Sequence, residues 1–225
     1  MKSQSLPSEY IIIDGGSTDG SLEIIDKYRS YFSQCVSEPD KGMYDAMNKG
    51  IALATGDVIG ILNADDFYPH RHVLEKVEKV FTDHQVDSCY GDLDYVDVNN
   101  TKIVVRSWRS GLYHERRFYQ GWMPPHPTFF VRREGYKSYG AFNLAMGSAS
   151  DYELMLRFLV KHKIKTHYIP EVLVNMRSGG ISNRSLKSRI AANRMDRLAW
   201  KINGLRPYPW TLIMKPLSKI HQFFV

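Results

Sequence analysis

The stretch Asp57-Val58-Ile59-Gly60-Ile61-Leu62-Asn63-Ala64-Asp65-Asp66 constrains this chain more than any other. An apolar, partly β-branched run of the kind that forms a buried strand empties into two adjacent carboxylates. Folding gains nothing from two anions there: they repel each other, and a buried strand end is a poor place to leave them unpaired. They sit on a solvated turn, cap the helix that follows Pro69, or share a cation. The hard divalent ions Mg2+ and Mn2+ are held through one or two carboxylates plus substrate phosphates, so Asp65 and Asp66 are candidate metal ligands.

The same pattern occurs upstream. Tyr10-Ile11-Ile12-Ile13 is a second strand-like run, ending at Asp14 and followed by the turn-rich Gly15-Gly16-Ser17-Thr18-Asp19-Gly20. Leu22, Ile25 and Tyr28, with Ile24 and Phe32, then fall on one helical face that Ser17 or Thr18 can cap. A short strand around Cys35-Val36 comes next. Tyr44, Met47, Ile51 and Ala54 recur at helical spacing, with Gly56 at the position of a left-handed C-cap. Strand, helix, strand, helix, strand is the unit of a parallel α/β sheet. It sets Asp14 and the Asp65-Asp66 pair on one carboxyl edge, where open α/β sheets bind ligands. Gly15 and Gly20 are spaced like the outer glycines of a phosphate loop, but no Lys precedes Ser21 and no G-x-G-x-x-G occurs. That excludes a P-loop and a dinucleotide fold. The turn either holds a nucleoside through Asp14 and the hydroxyls, or is an ordinary capped strand–helix turn.

Further along, Val73, Leu74, Val77, Val80 and Phe81 form a helical core stripe. Ser88 to Trp108 reads as antiparallel strands around a turn at Asn99-Asn100, and Thr128-Phe129-Phe130-Val131 as another strand. The intervening Pro124-Pro125-His126-Pro127 is expected to be non-helical. His126, in that rigid segment, is a candidate contact for phosphate or acceptor; the eight histidines show no paired zinc spacing. Asp151 precedes a helix marked by Tyr152, Met155, Leu156 and Leu159. It is either a helix-capping acid or a general base for an attacking hydroxyl. The strand Val172-Leu173-Val174 leads to Arg177-Ser178-Gly179-Gly180, which is a simple turn or a cation and backbone amides offered to an anion.

Charge is unevenly spread. Of a net +6, residues 183–225 carry nine basic groups and one acid, so the rest of the chain is slightly acidic. A basic tail of this kind points to an anionic membrane surface rather than to nucleic acid, which calls for a charged face with stacking aromatics. No apolar run approaches the length of a membrane-spanning helix, and no signal-peptide leader is visible. Cys35 and Cys89 follow no metal-ligand spacing and read as buried free thiols in a reducing cytosol.

Together these segments resemble the family 2 glycosyltransferases of the GT-A fold. The resemblance rests on five motifs in order between about Gln4 and Ser182: Tyr10–Ser21, Glu38–Gly50, Leu62–Asp66, Ser150-Asp151 and Met176–Ser182. It implies a GT-A-type, mostly parallel α/β sheet flanked by helices, with antiparallel additions, over residues 1–182. A basic helical extension follows over 183–225. It implies an inverting, metal-dependent transfer from a nucleotide-diphosphate sugar to a glycan or polyprenyl-linked acceptor in capsule, lipopolysaccharide or other envelope polysaccharide assembly, peripheral at the cytoplasmic face of the membrane. Asp14, Ser17, Asp19, Asp40 and Asp65 would contact the donor, and Asp65 and Asp66, as a DXD-type site, the Mg2+ or Mn2+. Asp151 would be the base, and His126, Arg177, Gly179 and Gly180 would meet acceptor or phosphate. Three departures stand out. The family opens with a strand and helix that this sequence is expected to lack, Gly15 replaces a second Asp, and Asn63 replaces the first acid of a strict D-x-D. The expected alternatives are a truncated, non-catalytic binding relative and a nucleotidyltransferase.

Overall fold

A computed structural model describes residues 3–179, 186–218 and 222, with 186–191 as backbone alone. Strand β1 (Ile11–Asp14) pairs in parallel with β2 (Gln34–Ser37) across helix α1 (Ser21–Lys27), forming a two-stranded sheet. Helix α2 (Met43–Leu53) packs on β1 and buries Met47 and Ile51 as the helical spacing predicts.

A second, six-stranded sheet holds the core. It comprises β3 (Val58–Ile59), β4 (Asp66–Phe67), β5 (Ser88–Val96), β6 (Val104–Trp108), β7 (Phe130–Arg132) and β8 (Thr166–Arg177). Its order is β3-β7-β5-β8-β4, with β6 also paired to β5. The longest pairing, β5 with β8, is parallel; the others in this sheet are antiparallel. Among the described residues β1 and β3 pair on one edge only, and the two sheets do not join. Helix α3 (Val73–Asp83) buries the five residues of its apolar stripe. The hairpin β5–β6 turns near Asn99-Asn100, where Asp97 Oδ1 accepts both amides. The remaining helices are α4 (Glu115–Tyr119), α5 (Arg133–Tyr139), α6 (Ser150–Met155), α7 (Leu186–Ile202) and α8 (Thr211–Leu217). A π-helical turn, Leu156–Lys161, continues α6.

Several local expectations change. The apolar run Val58–Leu62 is a strand only over Val58–Ile59; at the next position the Phe130 ring covers Gly60, where a Cβ would stand 2.3 Å from it. Asp66 lies inside strand β4, opposite Met176, rather than in a loop past a strand end. Helix α2 ends on an extended Ala54, and Gly56 has no left-handed φ; its amide and that of Thr55 donate to the Glu9 carboxylate instead. Helix α1 buries no residue, leaving Leu22 and Ile24 exposed, and its N-cap is Gly20 at φ 89° rather than Ser17 or Thr18. His126–Thr128 makes one 3-10 turn, so the proline segment is not wholly non-helical and the strand starts two residues later than Thr128. Cys89 is buried, but Cys35 is only half-buried.

The basic C-terminal helices are bound to the core. Trp200 is fully buried, and its indole N–H donates to the Tyr152 hydroxyl at 2.9 Å. Lys215 on α8 pairs with Asp196 on α7 at 2.7 Å. Thr211 and Ser218 bond carbonyls of Tyr119 and Gly121, tying α8 to the aromatic segment after β6.

Candidate active site

Strand ends and helix α2 assemble two neighbouring clusters. The first lies at the carboxyl ends of β1 and β2. Asp14 Oδ2 accepts bonds from the amides of Gly16 and Ser17, both at 3.0 Å, and from the Ser37 hydroxyl at 2.7 Å. Hydrogen bonds from the Ser17 and Ser37 hydroxyls hold the Asp14 carboxyl down at about 2, so it stays ionised at every working pH. Asp40 reaches the same place. A Cβ on Gly15 would stand 2.4 Å from its carboxylate, so the side chain that Gly15 lacks leaves room for that of Asp40. Asp19 does not join them: it is exposed and caps the start of α1 by accepting from the Ser21 amide and hydroxyl.

The second cluster gathers β4, the end of β8, and the start of α6. Asp65 is exposed, and its carbonyl accepts from Arg177 Nη1 at 2.8 Å. Asp66 is buried. Its Oδ2 accepts from Asn63 Nδ2 at 2.9 Å, while its Oδ1 is buried with no hydrogen-bond partner among the described residues. Burial pushes the Asp66 carboxyl up to about 6; the Asn63 bond and the Arg177 guanidinium pull down, and the Asp65 charge pushes further up. An orphaned carboxylate oxygen with a second acid next in the chain is what a hard cation satisfies, so these residues fit a divalent metal. No three His, Cys, Asp or Glu side chains converge on one point among the described residues. Such an ion would therefore complete its shell from substrate phosphate and water.

Asp151 stands in the first turn of α6, one residue in from the start. Its Oδ1 accepts from the Tyr152 amide at 2.7 Å, and Ala149 rather than Asp151 is the N-cap. The helix start fixes the carboxylate, which satisfies one of the free N-terminal amides. Its charge acts on three rings. Burial, then the Asp151 charge, raises the Tyr44 phenol. Burial lowers the His126 imidazole, which the Asp151 charge only partly offsets, so His126 is neutral at pH 7. The Tyr95 phenol is raised by burial, the nearby Arg106 charge pulls it down, and the charges of Asp66 and Asp151 push it up.

Of the expected set, the structure joins Arg177 to Asp65 beside Asp66, lets the Asp151 charge reach His126, and separately gathers Asp14, Ser17 and Asp40 around the Gly15 turn. Gly179 follows in a turn at φ 113°. Gly180 lies outside the described residues. Sequence reasoning missed Ser37, Tyr44 and Tyr95. Tyr44 had a signal, since it and Asn48 sit one helical turn apart in a segment dense with acids and glycines; the other two had none, being ordinary strand residues.

This mixed α/β fold, two sheets with flanking helices and acids gathered beside β1, β4 and α6, matches the GT-A glycosyltransferase architecture, and solved structures agree. The chain superposes on a Staphylococcus aureus TarS 1–349 complex with UDP-GlcNAc at a TM-score of 0.64 and 17% identity, over 88% of this chain and 58% of that one. For a Pyrobaculum calidifontis mannosyltransferase in complex with GDP-Man and Mn2+ the values are 0.62 and 18%, over 98% and 63%. The chain therefore spans about three fifths of the solved proteins it matches. The glycosyl transferase family 2 pattern covers residues 1–140, more than half of the chain, and the chain belongs to that family. It is 28% identical over 184 residues to a PGL/p-HBAD biosynthesis glycosyltransferase of Mycobacterium bovis, covering 78% of this chain and 68% of the relative. An uncharacterized glycosyltransferase of Mycobacterium tuberculosis is 33% identical over 153 residues, 66% of this chain and 56% of the relative.

Proposed function

We propose that the chain transfers a sugar, with inversion, from a nucleotide-diphosphate donor to a hydroxyl of a glycan or lipid-linked acceptor used in envelope polysaccharide assembly. The observation that carries this reading is the buried, unpartnered Oδ1 of Asp66, with Arg177 bonded to the carbonyl of the adjoining Asp65. Asp65 and Asp66 would hold Mg2+ or Mn2+, which when bound neutralises charge on a diphosphate leaving group. Relatives of the same fold bind UDP-GlcNAc, and GDP-Man with Mn2+. Asp14, Ser17 and Asp40 face the nucleoside end, and Arg177 supplies a fixed cation toward phosphate. Asp151 takes the proton of the acceptor hydroxyl as that oxygen bonds to the anomeric carbon and the nucleotide departs from the opposite face. Neutral His126 beside it leaves that carboxylate without a competing cation.

The acceptor's membrane origin is supported by α8 and the loop before it. Tyr208, Trp210, Ile213, Met214 and Leu217 are exposed there, with Arg194, Arg197, Lys201 and Arg206 exposed nearby in the chain. Aromatic and aliphatic side chains among basic ones suit an anionic bilayer surface. No helix among the described residues is long and apolar enough to cross a membrane. A non-catalytic relative is favoured by one observation, the thin donor lobe in which α1 buries nothing. Nucleoside diphosphate release from UDP-GlcNAc or GDP-Man, with Mn2+ and a membrane lipid extract, separates the two. Turnover that Asp151→Asn abolishes without loss of donor binding supports the transferase; unimpaired turnover in that variant excludes the base role.

A further inference from the structure

Asp151 lies where the chain has little stiffness of its own. Before it comes the 3-10 segment Leu144–Ala149, broken at Gly147 (φ 50°, ψ −126°). Helix α6 itself has six residues, and the π-helical turn Leu156–Lys161 follows. Short helical turns of mixed type bond poorly within themselves, so packing has to hold them. Upstream, the Ser150 hydroxyl donates to the carbonyls of Asn143 and Gly147, both at 2.8 Å. Downstream, the hold comes from the far end of the chain.

Tyr152 and Glu153, the two residues after Asp151, are both buried, and each is gripped from the end of α7. The Trp200 indole N–H donates to the Tyr152 hydroxyl at 2.9 Å, and Lys215 Nζ of α8 stands 3.5 Å from the centre of the Tyr152 ring. The Asn203 side-chain amide donates to Glu153 Oε1 at 3.1 Å. Glu153 also accepts from Arg157 Nε and Nη2, each at 2.9 Å, and the same guanidinium donates to the carbonyls of Tyr139, Gly140 and Ala141. Asn203 is itself fixed, because α7 closes around it. With Gly204 at φ 70°, the Gly204 amide reaches the Lys201 carbonyl at 3.0 Å and the Leu205 amide the Trp200 carbonyl at 2.9 Å, a Schellman pattern.

Successive residues of an α-helix project about 100° apart, so pinning two of them fixes the rotation of α6 about its axis. A side chain ends about 5–6 Å from that axis, and a rotation of about 20° would carry the Asp151 carboxylate about 2 Å sideways. Misplacing a reacting group by even about 1 Å can cost about a hundredfold in rate. We propose that Trp200 and Asn203 are positioning residues for Asp151, which set the rotation of α6 through Tyr152 and Glu153 and so aim the base at the acceptor hydroxyl. This rests on the reading of Asp151 as the base. The contribution belongs to the transfer step and not to donor binding, because Asp14 and Asp66 stand on other elements, β1 and β4.

Tyr152→Phe removes the hydroxyl that Trp200 holds and keeps the ring; Asn203→Ala removes the hold on Glu153. Thr211→Val is the control: it cuts the bond from the Thr211 hydroxyl to the Tyr119 carbonyl, which loosens α8 at a bond that involves no residue of α6. In nucleotide release from UDP-GlcNAc or GDP-Man with Mn2+ and a membrane lipid extract, Tyr152→Phe and Asn203→Ala should each lower kcat about tenfold or more and leave donor KM within about twofold. Thr211→Val should keep kcat within about twofold at a comparable fall in Tm. Calorimetric titration of whichever of UDP and GDP binds, with Mn2+, should give one Kd for the wild type and all three variants. An equal loss of kcat in Thr211→Val, or a donor KM or nucleotide Kd that moves in step with kcat, means a structural role only and overturns the proposal. If Asp151→Asn itself retains full turnover, the base reading fails; if that variant is dead while Tyr152→Phe and Asn203→Ala turn over normally, only the positioning proposal fails.

Discussion

Asp66→Asn removes a charge that the metal-free fold accommodates badly. Burial puts the carboxyl at about 6, against an ordinary 3.8. A raised acid binds more protons in the native than in the unfolded chain between those values. The native state therefore loses stability as pH rises through that window, and the loss is complete above about pH 6. A shift of about two units corresponds to about 3 kcal/mol at 1.36 kcal/mol per unit. Asparagine keeps the bond from Asn63 but puts an amide N–H2 where Oδ1 now lacks a partner, costing about 1 kcal/mol. The net gain of about 2 kcal/mol should raise Tm by about 4–8 °C in a chain of this size. Thermal unfolding in EDTA at pH 7.5 should show that rise, and at pH 4 the advantage should vanish. Mn2+ should raise the Tm of the wild-type chain at pH 7.5, where the carboxylate is free to bind, and leave the variant unmoved. A variant less stable at both pH values, by equal amounts, would refute the assignment of the cost to a buried charge.

Ser37→Ala should cost about 1–2 kcal/mol at pH 7 in urea unfolding, since Asp14 loses a charge-assisted bond. That stability is present above pH 4 and lost as pH falls toward 2, so an equal cost at pH 2 would contradict it. Trp200→Ala should cost about 3–5 kcal/mol and expose α7, seen as faster proteolysis within the C-terminal helices; an unchanged Tm would mean that those helices are not held by the core. Trp210→Glu with Ile213→Glu should reduce sedimentation with vesicles containing phosphatidylglycerol several-fold at unaltered Tm. Equal sedimentation with phosphatidylcholine vesicles would remove the electrostatic part of that reading.

Much of the architecture was legible because it is local. The α3 stripe and the α2 period predict which residues are buried, and the alternation around Asn99-Asn100 gives the β5–β6 hairpin. What escaped depends on distant partners. Nothing near Gly60 says that the Phe130 ring, seventy residues on, covers it. Nothing near Val172–Val174 says that the strand runs for twelve residues in parallel with β5. For the site, the acids were found as strand-end and helix-start anomalies, whereas Tyr44 and Tyr95 looked like core residues until the fold brought the charges of Asp151 and Asp66 to bear on them. Asp40 was placed beside the donor turn by resemblance, and the bare Cα of Gly15 gives the physical reason.

The central claim is that Asp66 completes a metal-dependent site for a nucleotide diphosphate. Calorimetric titration of UDP and of GDP into the 225-residue chain, with Mn2+ and then with EDTA, tests it most directly. The account predicts binding of one nucleotide that requires Mn2+, is lost in Asp66→Asn and survives in Asp151→Asn. Binding that persists in EDTA, or that Asp66→Asn leaves intact, would contradict it.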